Sequence, residues 1–559
     1  MFSSQKSWNR NYQGGNASVI ALCSTLFGVG MLALFVYLFM PTLAVDFIGI
    51  YFAIFVAAAI PIVLIFLVGP VVPLVVYGIA LVATVTVMFL STAPIIHHES
   101  YLKLLGDQKT MTEFQDVLPP LDYKQAPFVS QAMAKQAMQK KLSEMGALAS
   151  QVELSKLVKQ LVNDELVWVG FLEHNGFFKW NKDRATPGYV VVSAHNPSDV
   201  KLVTELKGKP LAMRYLTSAY FGDDVRRHLY YSGFASTGMA DFLPEIDDSG
   251  RPFYVATLYE NTVGFSGENT VGAVTVDVQT GEIQRYTLAN LPAWVDRVQP
   301  EGFIKTQMAD RGEYINGWLN PSDEGRLAVS DDLDLVYGAD KKAYWIGGMT
   351  SKGRNNGVTG FYLIDSRTKA VRWFTVGAIS QASAESAVEG VVREKKYDAT
   401  NPLPFLVEGV PTYMMALQDS EGIARGFGLV DMRSNSQVIA VGDTLSSALR
   451  AYLTKHSTDK VSADVPGAAK AAMLKGTVVR IASEFRNNQT TYYLTLNVGG
   501  TVSGSIFTGS SDLTEELVLT KPGDKVTISF RDNDTRVKGI SEFKNNDIPA
   551  AVETDHVKM

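Results

Sequence analysis

Residues 17–40 read ASVIALCSTLFGVGMLALFVYLFM, residues 47–68 read FIGIYFAIFVAAAIPIVLIFLV, and residues 71–96 read VVPLVVYGIALVATVTVMFLSTAPII. These three apolar runs and their connections contain one charged residue, Asp46. About 20 apolar residues cross a bilayer as a helix, so each run is long enough to span one. Residues 17–96 therefore predict three transmembrane helices behind a polar tail, residues 1–16, with the lipid bilayer as a partner.

The rest of the 559-residue chain is polar enough to form several soluble domains, each able to bury a core. The net charge of -6 does not favour general nucleic-acid binding, which needs a basic surface. The single cysteine, Cys23, lies in the first apolar run. The soluble part therefore has no thiol for a disulfide framework, a zinc finger or a cysteine redox site.

Residues 97–165 predict a juxtamembrane segment and amphipathic helices. His97, His98 and Glu99 follow the third apolar run, and we interpret them as interfacial anchors rather than metal ligands. From Ser130 to Val162 apolar residues recur at steps of three and four, which predicts a pair of helices that packs on the first soluble domain.

A pattern recurs four times after this segment: a strand with an aromatic centre, a glycine, a short apolar strand, a polar turn and a further strand. Helices are predicted before or after some copies, so each copy is expected to be an α+β unit. The four units are assigned to residues 166–240, 241–330, 331–400 and 401–456. Their glycine-led strands are Gly188–Ser193, Gly272–Asp277, Gly360–Asp365 and Gly426–Asp431.

The second unit contains the hairpin VTVDVQTGEI at residues 274–283, which resembles the strand, D-x-x-TGE and strand signature of the PepSY and cystatin-like superfamily. The other three copies match more loosely and lack the Gly-Glu pair. The resemblance implies extracytoplasmic, non-enzymatic domains that restrain proteases or mediate assembly. The lysine and arginine counts beside the apolar runs do not decide the orientation. The resemblance therefore supplies the expectation that the soluble body lies on the extracytoplasmic side of the membrane.

The segment LPAWVDRVQP at residues 291–300 supplies candidate binding residues, Trp294, Asp296 and Arg297. They could form a recognition loop, but a crossover with a buried tryptophan and an Asp–Arg pair is favoured. Nearby, Asp241 and Glu245 belong to an acidic cluster that lacks calcium-loop spacing and is interpreted as a turn. No catalytic constellation, cofactor site or metal site is predicted, so the chain is not expected to be an enzyme.

The C-terminal region begins with a predicted linker, residues 457–473. Residues 474–547 predict five strands with a helical turn after the third, which resembles an OB-fold. Acidic residues lie among its basic and aromatic residues, so protein binding is favoured over single-stranded nucleic acid. A disordered tail is expected at residues 548–559. The candidate binding residues of this domain are Arg480, Arg486, Tyr492, Tyr493 and Arg531.

Together these features predict a multidomain membrane protein: N-terminal transmembrane α-helices, tandem α+β units and a C-terminal all-β barrel. Its predicted function is a non-enzymatic binding or assembly scaffold in the cell (inner) membrane, with protein partners and a homo-oligomer as a further option. One alternative is a regulator or inhibitor of an extracytoplasmic protease or cell-wall enzyme. The others are a membrane tether for single-stranded nucleic acid and an oligomeric channel.

Overall fold

The computed structural model describes residues 5–68, 72–111, 118–121, 126–352, 357–375, 377–433, 438–458, 470–486, 489–510, 513–532 and 537–548. All of the expected disordered tail except Ile548 lies outside these residues. So does most of the predicted linker, but its last part is a strand, because the first strand of the C-terminal domain already begins at Lys470.

The N-terminal region is helical: α1 spans Gln5–Phe39, α2 Ile48–Val68, α3 Val72–Thr92 and α4 Pro94–Lys103. Two stretches in the described residues are long and apolar enough to cross a membrane, Leu22–Phe39 within α1 and the whole of α3. Pro61 lies inside α2. The third span stays a prediction, because the apolar stretch of α2, Ile48–Val63, is shorter than these two and does not meet the same length criterion.

The first unit is a helix and an antiparallel sheet. Ser130 caps α5 by accepting a hydrogen bond from the Met133 amide through its hydroxyl oxygen. The sheet has the order β2-β4-β5-β6, with β3 paired to β4. Its elements, with the strand β1 that precedes them, are β1 Gln108–Met111, α5 Gln131–Ser143, β2 Val152–Leu154, β3 Val158–Val162, β4 Glu165–His174, α6 Phe177–Lys182, β5 Tyr189–Ser193 and β6 Val200–Val203, followed by the small pair β7 Glu205–Leu206 and β8 Lys209–Pro210.

The second helix predicted between Ser130 and Val162 is wrong. The helix α5 ends at Ser143, a short 3-10 helix spans Gly146–Ser150, and the strands β2 and β3 follow it. The apolar residues of β3 satisfy a helical period as well as a strand, and pairing with β4 decides between them. Pairing with β4 therefore makes this short apolar run a strand, and the periodicity of the sequence alone does not reveal that pairing.

The second and third units repeat this plan. The second consists of α7 Val225–Leu229 and a four-stranded meander, β9 Gly238–Ile246, β10 Pro252–Val263, β11 Ser266–Asp277 and β12 Ile283–Thr287. The third consists of α8 Glu301–Tyr314, β13 Leu327–Val329, β14 Asp334–Tyr337, β15 Ala343–Ser351, β16 Gly357–Asp365, β17 Val371–Phe374 and β18 Ala378–Ile379. The early strand β1 adds to the third sheet, parallel to β17. Because β9 crosses position 240/241, the second unit begins before its predicted boundary.

The fourth unit completes the body. It consists of α9 Gln381–Val391, the meander β19 Asp398–Val407, β20 Val410–Gln418, β21 Ala424–Asp431 and β22 Ile439–Gly442, and α10 Leu445–Thr458. Each of the four units thus places a helix before an antiparallel meander. The predicted three-strand pattern missed the first strand of each meander, and β19 crosses the predicted boundary at 400/401.

The repeated glycine has a common structural reason. Gly188, Gly272, Gly360 and Gly426 lie at, or one residue before, the point where the third strand of each unit begins to pair with the fourth. A Cβ atom at each would lie within 3.0 Å of a backbone carbonyl oxygen in the fourth strand. The repeated aspartate ends the third strand in units two to four. Asp277, Asp365 and Asp431 each accept a hydrogen bond from a backbone amide two residues further on, which closes the turn.

The four units form a closed series of contacts. Units one and two share one hydrophobic cluster, and units three and four share another. The amides of Val298 and Gln299 donate to the Ser366 carbonyl and so join unit two to unit three. Phe128 packs on Phe427 at 5.0 Å between ring centroids and joins unit one to unit four. The first strands of the units, β3, β9, β14 and β19, consequently face a common centre.

The body is attached directly to the ends of the N-terminal helices. The Leu43 amide donates to the Ala235 carbonyl at 2.6 Å, and the Asn261 side chain donates to the Asp46 carbonyl at 2.8 Å. The ring of Phe47 lies 5.6 Å from that of Tyr259. The second unit therefore holds the loop between α1 and α2 by main-chain, side-chain and aromatic contacts.

The C-terminal domain is a closed five-stranded barrel. Its strands follow the cyclic order β23-β24-β26-β28-β27, and β26 and β28 are parallel. The hydrophobic cluster at its centre contains no residue of the body among those described. Its elements are β23 Lys470–Arg486, β24 Gln489–Val498, β25 Thr501–Val502, β26 Ile506–Ser510, α11 Glu515–Leu519, β27 Lys525–Asp532 and β28 Val537–Asn545.

Candidate functional site

A cavity of about 540 Å³ lies where the four units meet. Strand β3 supplies Lys159, the loop before α8 supplies Arg297, and β14 supplies Asp334. Two tryptophans from central strands, Trp168 in β4 and Trp345 in β15, also line the cavity. The cavity therefore brings cations, a carboxylate and aromatic rings together from units that are distant in sequence.

Lys159 is the most deeply placed cation of this cavity. Its side chain is 9% exposed, and its Nζ donates to the Leu335 carbonyl at 3.5 Å and lies 5.5 Å from the centre of the Trp168 ring. Lys159 forms no ion pair within 4.0 Å with any carboxylate that the structure describes. Burial lowers the pKa of Lys159 to about 8. A buried cation without a close counter-ion is costly, which makes this position chemically special.

Arg297 is the second cation. Its guanidinium lies 5.7 Å from the centre of the Trp345 ring, and its Nε is buried without a hydrogen-bond partner among the described residues. The two tryptophan rings are fixed, because Trp168 Nε1 donates to the Val129 carbonyl at 2.8 Å and Trp345 Nε1 donates to the Gln299 carbonyl at 2.9 Å. Each cation thus lies near an anchored aromatic ring.

Carboxylates line the same cavity, and Asp334 and Lys159 attract each other electrostatically. Burial raises the pKa of Asp334 to about 6, and Gln381 donates a side-chain hydrogen bond to it. Burial also raises the pKa of Glu301. Asp241 lies at the cavity too, 3.8 Å from the ammonium group of Lys156. The cavity can therefore receive an anionic group beside Lys159 and Arg297 and a polar or cationic group beside the carboxylates.

The predicted ion pair between Asp296 and Arg297 is wrong, because Asp296 has other partners. Its carboxylate accepts hydrogen bonds from the Leu161 amide at 2.6 Å and from the Tyr337 hydroxyl at 2.9 Å. Burial raises the pKa of Asp296 to about 6. Trp294 is half-buried and stacks on Phe253 at 5.0 Å. Of the three candidates in this segment, only Arg297 lines the cavity, while Asp296 ties unit one to unit three.

The acidic cluster after position 240 separates into two parts. Asp247 makes the predicted turn, because its carboxylate accepts hydrogen bonds from the amides of Ser249 and Arg251. Asp241 and Glu245 lie in β9 instead. Glu245 is fully buried, and burial raises its pKa well above the usual range. In the described part of the chain, no group of three or more metal-ligating side chains is present.

The structure describes the side chains of three of the five barrel candidates, and these have different surroundings. Tyr492 is half-buried against the barrel core, and its neighbour Tyr493 donates from its hydroxyl to the Glu484 carboxylate at 3.0 Å. Arg480 is exposed on β23. The side chains of Arg486 and Arg531 lie outside what the structure describes. An acidic partner for Tyr493 is a feature that nucleic-acid surfaces avoid.

Sequence reasoning missed Lys159, Asp334 and both cavity tryptophans. The one available signal was the interruption of the apolar run LVKQLV at residues 157–162 by a lysine and a glutamine. In the helix that was predicted here, Lys159 and Gln160 would face solvent. The wrong secondary structure therefore gave no reason to consider them as site residues. Comparison with known proteins adds no further candidate: no known protein-family model matches the chain, and no curated protein is detectably similar to it.

Proposed function

We propose that this chain is a membrane-anchored, non-enzymatic binding and assembly protein. The attachment of the body to the helix ends is the observation that supports this best. In addition to the bonds of Leu43 and Asn261, the Tyr230 hydroxyl donates to the Pro41 carbonyl at 2.7 Å. Several hydrogen bonds to the short loop between α1 and α2 fix the position of the body relative to the helices. A protein that presents binding domains at a membrane needs such a fixed attachment.

The repeated units support the same proposal. A helix followed by an antiparallel meander, four times in tandem, is compatible with the resemblance to PepSY and cystatin-like domains. Under this proposal the body lies on the extracytoplasmic side of the inner membrane. The barrel order, with a helix between the third and fourth long strands, supports the OB-like interpretation.

The barrel is the proposed partner-binding domain. Among the described residues, the hydrophobic core of the barrel contains no residue of the body. Removing the barrel should therefore leave the hydrophobic core of the body intact. The contact of Tyr493 with Glu484 favours a protein partner over single-stranded nucleic acid.

Truncation tests this function. A chain that ends at Thr458, the last residue of α10, should keep its membrane insertion and its body but lose the proteins that cross-link to the full-length chain in cells. Carbonate extraction, protease resistance of the body and mass spectrometry of cross-linked products measure these three properties. An unchanged set of cross-linked proteins would contradict a binding role for the barrel.

The central cavity favours a second, compatible function, the binding of a small organic anion by the body. Lys159 and Arg297 supply positive charge, and neither forms an ion pair within 4.0 Å with a carboxylate in the part of the chain that the structure describes. The adjacent tryptophan rings supply flat apolar walls. A planar carboxylate would satisfy both features, because hydrogen bonds between charged groups contribute about 1.5–3 kcal/mol each.

A charge-removing variant, Lys159→Met, tests the cavity. It should weaken the binding of benzoate, followed by tryptophan fluorescence, by about tenfold or more, which corresponds to about 1.4 kcal/mol. It should also raise the thermal midpoint of unfolding, because an unpaired buried charge is replaced by an apolar side chain.

Lys341→Met is the matched control, because Lys341 makes only an exposed ion pair with Asp164 at 2.7 Å. It should change neither benzoate binding nor the midpoint. If the wild-type chain does not bind benzoate, or if Lys159→Met binds it equally well, the cavity is not an aromatic carboxylate site.

A further inference from the structure

The exposed aromatic side chains of the body are not spread over its surface. They lie near segments that contact the N-terminal helices, or pack against residues that do so. Among the described residues after Lys103, the exposed aromatic side chains are Phe177, Phe178, Tyr220, Phe221, Tyr231 and Trp318.

The first group is a continuous aromatic surface, which we call the 177–221 patch: Phe177, Phe178, Tyr220 and Phe221. The Phe177 ring lies 5.6 Å from that of Phe178 and 5.1 Å from that of Tyr220. Phe178 is 83% exposed and Phe221 is 55% exposed. Contiguous exposed apolar surface of this kind is unusual on a soluble domain and marks an interaction site.

The 177–221 patch is connected to the end of α1. Helix α7 begins four residues after Phe221, and its Arg227 donates a hydrogen bond to the Tyr37 carbonyl in the last turn of α1. Tyr230 donates to the Pro41 carbonyl, and the neighbouring Tyr231 is exposed. Tyr220 and Phe221 therefore lie just before a segment that is bound where α1 ends, and Phe177 and Phe178 extend the patch from α6.

The second group, which we call the 315–319 loop, is connected to the end of α3. Ile315, Trp318 and Leu319 are exposed, and Leu319 is 77% exposed. They follow Tyr314, the last residue of α8, whose ring lies 6.1 Å from that of Tyr101. The Tyr101 hydroxyl donates to the carbonyl of Thr92, the last residue of α3, at 2.7 Å.

We propose that the 177–221 patch and the 315–319 loop rest in the headgroup region of the bilayer that surrounds the helices. Aromatic side chains are enriched at this depth because they have an apolar ring and a polar edge. Lys182 and Arg226 are exposed near the first patch and can contact anionic headgroups. The inference rests on the proposed membrane anchoring.

The position of the two groups favours lipid over a protein partner. One group is bound to the end of α1 and the other to the end of α3. A single partner that contacts both would have to extend around the helices, and the bilayer already does so. The body would then be held by its attachment to the helices and also by two aromatic supports.

Site-specific labelling of the full-length chain tests this inference. In a Cys23→Ser background, one cysteine at a time is introduced by Phe178→Cys, Leu319→Cys and, as a control, Val391→Cys. Val391 is an exposed apolar residue at the end of α9 in the fourth unit, so it matches the test positions in character. Each variant carries an environment-sensitive dye and is reconstituted in phosphatidylcholine–phosphatidylglycerol vesicles that contain a headgroup nitroxide lipid.

The dyes at positions 178 and 319 should lose most of their fluorescence to the nitroxide, and the dye at position 391 should keep it. Flotation of the vesicles separates the two proposals. If the chain floats with the vesicles but positions 178 and 319 are quenched no more than position 391, the inferred headgroup contact is wrong. The proposed membrane anchoring would not be affected by that result. If the chain does not float, both are overturned.

Discussion

Replacing Asp431 with alanine should lower the free energy of unfolding of the body by about 3 kcal/mol, the cost of removing one partner of a buried ion pair. Asp431 is fully buried at the end of β21, and its carboxylate accepts hydrogen bonds from the Arg433 amide and guanidinium. These bonds raise the pKa of Arg433. The Nε2 atom of His456 lies 3.4 Å from the same carboxylate. Without Asp431 the turn after β21 loses its cap, Arg433 loses its acceptor and His456 loses the carboxylate beside its ring.

The expected result is a large drop in the thermal midpoint of the full-length chain in detergent. The Asp443→Ala variant is the control, because Asp443 makes only an exposed ion pair with Lys395 at 3.3 Å. It should leave the midpoint almost unchanged. A similar midpoint for the two variants would show that Asp431 does not stabilise the fourth unit.

Replacing Gly272 with alanine should destabilise the body by about 2–3 kcal/mol through overpacking. A Cβ atom at this position meets the Tyr286 carbonyl and the Thr287 backbone, neither of which can rotate away. Strand β12 would have to separate from β11, with which it pairs between Gly272 and Thr287. The measurement is the denaturant concentration at the midpoint of unfolding.

Gly390→Ala is the matched control for this glycine. Gly390 lies inside α9, and no atom lies within 4 Å of the position that its Cβ would occupy. Alanine there should stabilise the helix by up to about 1 kcal/mol, because glycine is the poorer helix former. If both variants unfold at the wild-type midpoint, close approach of the strands is not the reason for the repeated glycine.

The repeats illustrate what local sequence can predict. The glycine of each copy and the aspartate of copies two to four are visible in the sequence because their reasons are local: a close backbone approach and a short turn. The first strand of each meander was missed, in unit one in spite of a local turn signal. Strand β3 is short and its apolar residues also fit a helical period, so the two-residue turn Asn163–Asp164 that joins it to β4 was not interpreted as a hairpin turn.

The candidate cavity could not have been found from the sequence. Lys159 and Asp334 are separated by more than one unit in the chain, and only the closed series of four units brings them to one centre. Arg297 was identified, but with Asp296 as its expected partner. In the structure Asp296 accepts a hydrogen bond from Tyr337 instead. This bond forms because β14, which carries Tyr337, lies against β3 at the centre of the body.

The sequence by itself determined that long, nearly uncharged runs precede a polar chain with four related units and a final barrel-like region. These features depend on composition and short-range periodicity, which any chain with this sequence must carry. Only the tertiary structure decided which side chains meet in the cavity and where the body contacts the helix ends. Both depend on the packing of one unit against another, through contacts such as Phe128 with Phe427 and Asn261 with the Asp46 carbonyl, and such contacts have no fixed spacing in the chain.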